Sequence, residues 1–92
     1  MIRSLEGQIS GLTGNSVIVT VGGIGYQVYT NVSRHQFIPG ETVFLHTYLV
    51  VRETALDLYG FIEKDELTYF ELLLDVPKIG PKSALQIMSQ AD

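Results

Sequence analysis

The chain has 92 residues, 46% of them hydrophobic and 17% charged, a composition suited to one small core with at most a minor appendage and without the signature of disorder. Its formal charge of −4 excludes indiscriminate binding of polyanions by the bulk surface, which needs Lys and Arg in number, so any nucleic-acid contact must be local. The absence of cysteine excludes disulfides and thiolate metal sites, and the two separated histidines, His35 and His46, are expected to be structural.

Up to about Phe61 the apolar residues recur with a period near two and glycine turns interrupt them, which is the pattern of half-buried strands. Strands are predicted at residues 2–12, 16–21, 25–30, 41–51 and 56–61. The first turn is Thr13-Gly14-Asn15 and the second Gly22-Gly23. One helical turn is expected at residues 31–36, ahead of the turn signal Ile38-Pro39-Gly40. Five short strands with one longer link between the third and fourth suit a small closed or half-closed OB-like barrel, which removes the exposed edges of an open sheet. A small open sandwich is the alternative.

From Glu63 the period lengthens. Leu67, Phe70, Leu73 and Leu74 fall at helical spacing, and Glu63, Asp65 and Glu66 put negative charge in the first turn, where the helix dipole favours it. This predicts an amphipathic helix that stops near Asp75, because Pro77 disfavours helical geometry in Val76 and has no N–H to donate. A second helix is predicted from Pro81, a residue suited to the first helical position, with Ala84, Leu85, Ile87 and Met88 as its apolar face.

Between the two helices lies VPKIGPKSA, residues 76–84. The amides of Lys82, Ser83 and Ala84 are expected to be free at the start of the second helix, Gly80 to let an anion approach the backbone, and Lys78 and Lys82 to add positive charge. The residue types alone leave two readings: a phosphate site, or a turn punctuated by Pro and Gly with solvated lysines. The remaining motifs point to packing and solvation. VGGIGYQV, residues 21–28, precedes a strand pattern and has no Lys-Ser/Thr, so it is a tight hairpin rather than a phosphate loop. The aromatics Tyr26, Phe44, Tyr48, Tyr59 and Phe61 are expected in the core or at subunit contacts. Asp65, Glu66, Glu71 and Asp75 are expected to be solvated, and no catalytic constellation, metal site or cofactor motif is visible. No apolar run reaches the ~18 residues of a membrane span and the N-terminus lacks a signal-peptide core, so a soluble, cytoplasmic protein is expected.

Several segments in register, MIRSLEGQI at the start, VGGIGYQV, FLHTYLVVRE at 44–53, LYGF at 58–61 and VPKIGPKSALQIMS at 76–89, resemble the RuvA family of Holliday junction branch migration proteins over essentially the whole chain. The resemblance implies an OB-like barrel, residues 1–62, that assembles a homotetramer and contacts the core of a four-way DNA junction. Residues 63–92 would be the first helix-hairpin-helix of a helical DNA-binding region. Lys78, Ile79, Gly80, Lys82 and Ser83 match the hairpin that grips DNA backbone, and Glu53 matches the acidic pin that stands at the crossover and repels phosphates. The family's C-terminal domain binds the hexameric motor RuvB. Family chains run roughly twice this length, so an N-terminal piece is expected that does not itself bind RuvB.

The chain departs from the family pattern twice. Lys78 replaces the first glycine of the hairpin's Gly-hydrophobic-Gly, and Thr54 replaces the second of two adjacent acids at the pin, with Asp57 two pairs down the strand as a possible substitute. The implied function is non-catalytic, structure-selective junction binding in recombination and repair, with the ATPase in the partner. A self-associating OB-like module with negligible DNA binding is the alternative. A nuclease or glycosylase reading is opposed by the lack of a nucleophile or metal cluster.

Overall fold

Alternation of apolar and small residues with polar ones closes the first two thirds of the chain into a ring of strands. The computed structural model describes residues 2–90. Strands β1 (Ser4–Leu12), β2 (Ser16–Val21), β3 (Ile24–Tyr29), β4 (Thr42–Val51) and β5 (Leu56–Phe61) are followed by helices α1 (Lys64–Leu74) and α2 (Pro81–Gln90). The strand order is β1-β2-β3-β5-β4 with β4 returning to β1, a closed barrel, antiparallel except where β3 runs beside β5. The barrel is OB-like and the helices form a helix-hairpin-helix; the open sandwich is excluded by the closed ring.

Local sequence accounts for most of this. In β1, Leu5 and Ile9 point into the core while Glu6, Gln8 and Ser10 face outward, as a period of two requires. Gly7 leaves room for β2, since a Cβ there would lie 2.3 Å from the Thr20 carbonyl oxygen. Ser10 is the extra residue of a bulge, where the register shifts between Ile9 and Gly11, which bends the strand around the ring. Gly22 and Gly23 both have positive φ, the primed turn whose twist matches that of the flanking strands.

Some details differ from expectation: β3 lies one residue earlier than predicted and β4 starts one residue later. Ile2 and Arg3 precede β1, although both carbonyls accept hydrogen bonds from Thr47, from its side chain and its N–H respectively. At residues 31–36 the Arg34 N–H reaches the Asn31 carbonyl at 3.1 Å, a turn rather than a helix. Ile87 lies on the outside of α2, while Ala84 and Met88 are the buried residues.

The core has two parts. Leu5, Ile9, Val17, Val19, Val28 and Leu45 fill the barrel with their neighbours. A second cluster forms on the outer face of β5, where Tyr59 and Phe61 meet Leu67, Phe70, Ala84 and Met88 of the helices. β5 is thus covered on both faces, with Leu58 inward and Tyr59 and Phe61 outward. Phe70, fully buried, lies 5.3 Å from the Tyr59 ring, 5.1 Å from Phe61 and 5.9 Å from Tyr48, within the range in which aromatic pairs attract beyond their area alone. Burial, with a further contribution from Asp57, raises the Tyr59 phenol above its ordinary pKa.

A polar clamp supports the same junction. Arg34 and His35, in the link between β3 and β4, converge on Glu66, with Arg34 Nε at 3.5 Å and His35 Nε2 at 3.2 Å. Glu66 also accepts the Glu63 N–H at 3.0 Å, closing the first turn of α1, and Arg34 Nη1 donates to the Met88 carbonyl of α2 at 3.3 Å. One link thereby holds the first turn of α1 and the last turn of α2 against the barrel. Glu66, expected to be solvated, is instead a hub.

Candidate nucleic-acid interface

The hairpin between the helices owes its shape to Pro77. The Ile79 N–H donates to the Val76 carbonyl at 3.2 Å, with Pro77 and Lys78 as the central residues, and Lys78 has φ of 72°. This is the type II pattern, in which Pro suits the second position and the third must take positive φ, usually as glycine. Lys78 occupies the glycine position with a strained backbone, as the sequence departure implied, at a cost of about 1 kcal/mol. Ile79 turns its side chain against the second core cluster and anchors the turn.

Beyond Ile79, Gly80 has no positive φ, and a Cβ there would meet nothing within 4 Å, so the fold itself does not demand glycine at this position. Its carbonyl accepts the Ala84 N–H at 2.9 Å. Ala84 therefore does not offer the free amide expected of it, because the first helical hydrogen bond consumes that donor. The Lys82 and Ser83 amides carry no hydrogen bond among the described residues, as the first turn of any helix leaves its N–H groups. Lys78, Gly80, Lys82 and Ser83 are all exposed. Four of the five hairpin residues are thus exposed, and Ile79 is half-buried against the second core cluster. Asp75, at the C-terminal end of α1, is the acid at the other end of this loop.

At the far end of β4 the chain reverses through Glu53 and Thr54. Arg52 and Ala55 face each other, with the Arg52 N–H donating to the Ala55 carbonyl at 2.9 Å and the Ala55 N–H returning to the Arg52 carbonyl at 3.4 Å. Neither central residue has positive φ, so the turn is unprimed and splays the strands it joins. Glu53 and Thr54 are exposed. Asp57 lies opposite Val50 in the ladder and is ion-paired to Arg52, so it adds no unpaired charge to the tip. The sequence pattern of alternating residues reveals the strand but not this pair, nor the clamp on Glu66.

A family model described as the RuvA N terminal domain matches residues 1–60. The chain belongs to the RuvA family. Among curated relatives named Holliday junction branch migration complex subunit RuvA, that of Desulforudis audaxviator is 46% identical over 92 residues, covering 98% of this chain and 46% of the relative. The protein of Natranaerobius thermophilus is 41% identical, with 96% and 42% covered, and that of Moorella thermoacetica 43% identical, with 99% and 45% covered. The chain spans about half the length of these RuvA relatives. No helix among the described residues is long and apolar enough to cross a membrane.

Proposed function

We propose that this RuvA chain is a non-catalytic, structure-selective DNA-binding subunit that holds a four-way junction as a homotetramer in the cytoplasm. In this reading residues 1–62 assemble the tetramer and meet the junction core, and residues 63–92 grip an arm. Lys78, Gly80, Lys82 and Ser83 face the arm phosphates over the turn that Ile79 anchors, and Glu53 stands at the crossover. The ATP-driven movement belongs to the partner motor, RuvB, and no cofactor is required.

The observation that carries this reading is the hairpin surface. Two lysines, a glycine the fold does not need and two unpaired amides meet at the start of a helix, where the dipole favours an anion, in a chain whose net charge is negative. Relatives named for Holliday junction branch migration support the choice of ligand. The test is Lys82→Glu. Junction affinity should fall, and the salt dependence should become shallower by about one counterion per bound subunit. Unchanged binding in a folded variant would count against the hairpin as a phosphate site.

A second reading, a self-associating module with negligible DNA binding, is favoured by the apolar residues left outside the barrel: Val51 and Leu56 are 63% and 69% exposed and Ile24 57%. Both readings predict self-association. Only the first predicts preference for a four-way junction over linear duplex.

A further inference from the structure

A cleft of about 430 Å3 separates α2 from the barrel. Its walls include Asn15 of the β1–β2 turn, Asn31 and Ser33 of the β3–β4 link, and Lys82, Gln86 and Ser89 on successive turns of α2. Among the described residues no Asp or Glu lines this cleft, and Lys82 is the one charged residue there.

The wall is rich in uncommitted donors. Asn31 is only 8% exposed, and its side-chain nitrogen, closed to solvent behind the wall, has no hydrogen-bond partner among the described residues, although buried polar groups are almost always satisfied. Asn15 accepts a hydrogen bond from Thr13 Oγ1 at 3.1 Å through its side-chain oxygen, which leaves its own NH2 to donate elsewhere. The Gln86 amide is exposed on the same wall. A ligand that only accepts hydrogen bonds and carries negative charge suits the Asn15 and Gln86 amides and the ammonium of Lys82, and a turn of the Asn31 side chain into the cleft would satisfy its nitrogen as well, whereas a neutral or cationic ligand leaves the ammonium uncompensated.

We propose that this cleft seats a second backbone phosphate of the DNA strand held at the start of α2, so that the DNA interface continues from the helix hairpin onto the barrel. The inference rests on the hairpin reading above. Lys82 belongs to both surfaces, at the first turn of α2 and on the cleft wall, and is the point where a strand passes from one to the other. The β1–β2 turn is also where OB-type barrels commonly meet oligonucleotides.

The test introduces carboxylates of nearly unchanged shape. Asn15→Asp and Gln86→Glu should each weaken binding of the 92-residue chain to a four-way DNA junction by about three- to tenfold at one fixed low salt concentration, with an unchanged circular dichroism spectrum. Gln8→Glu, on the outer face of β1, adds the same charge away from the cleft and should have a smaller effect. The side-chain amide resonance of Asn31 should shift when junction is added to the 15N-labelled chain. If Lys82→Glu weakens binding while Asn15→Asp and Gln86→Glu do not, or if Gln8→Glu weakens it as much as they do, the cleft inference falls and the hairpin reading stands. If Lys82→Glu also binds as the unmodified chain does, the hairpin reading falls and this inference falls with it.

Discussion

Arg52 and Asp57 are ion-paired across the base of the β4–β5 tip, and this leaves Glu53 as the one uncompensated carboxylate at the turn. An exposed pair of this kind contributes little to stability, but it sets the charge that the tip presents. Replacing Glu53 with Gln should tighten binding to linear duplex and erode the preference for a junction, by roughly two- to fivefold in the ratio of affinities. Asp57→Asn should act in the same direction, because it releases the Arg52 guanidinium beside the tip. Competition between junction and duplex at one salt concentration measures both, and ratios unchanged in the two variants would show that the tip does not act by repulsion.

Lys78 sets stability against charge. Lys78→Gly relieves a side-chain residue at φ 72° and should stabilise the fold by up to about 1 kcal/mol, a rise of roughly 4–8 °C in Tm for a domain of this size. The same change removes a cation from the hairpin, so junction binding should weaken as the protein becomes more heat-stable. Calorimetry and a binding isotherm on the same preparation test the two halves.

Much of the architecture was legible because it is local. Gly22-Gly23 and Ile38-Pro39-Gly40 mark their turns through backbone requirements that few other residues meet, and Pro77 and Pro81 bracket the hairpin by what they forbid. Residues 16–21 and 56–61 match their strands because each run is apolar and bounded by turn residues. What remained hidden depends on partners distant in the chain. Nothing in the period of Arg34 or His35 announces that both reach Glu66, and the parallel pairing of β3 with β5 leaves no mark in either strand. Of the proposed site, Lys78 and its unusual backbone could be read from the turn pattern. The loss of the Ala84 amide to Gly80, and the cleft beside Asn31, emerge only once the helix is placed.

Phe70 joins the helices to the barrel through three aromatic neighbours. Phe70→Ala should cost about 3–5 kcal/mol, a large part of the stability of so small a domain. Chemical denaturation of the variant should show this loss directly. A milder Phe70→Leu should retain the fold, and a loss well under 1 kcal/mol for the alanine variant would mean that the ring is not an anchor.

Tyr59 predicts an alkaline limit. Its side chain is buried, and burial with a contribution from Asp57 holds the phenol above the ordinary value near 10. As pH rises past about 10, the unfolded chain ionises this group first and is stabilised relative to the fold. Stability present below that pH is therefore lost progressively until the folded phenol itself ionises. Tyr59→Phe should flatten this fall, read as the difference between the two proteins in denaturant midpoint from pH 9 to 11.5. Parallel curves would show that Tyr59 does not contribute.

Closure of the ring also governs how the chain reaches its fold. The hairpins β1–β2 and β2–β3 bring together neighbours in sequence, but Ser4 must find His46, and Val28 must find Leu58, before any barrel exists. Loop entropy is spent on these encounters before burial returns it, so refolding belongs on the slower scale of non-local topologies, on the order of milliseconds to seconds. Until β1 reaches β4 and β3 reaches β5, these strands present unpaired edges to other molecules in solution, and a nascent chain that has made β1 to β3 waits with the β1 and β3 edges open while β4 and β5 are still being synthesised.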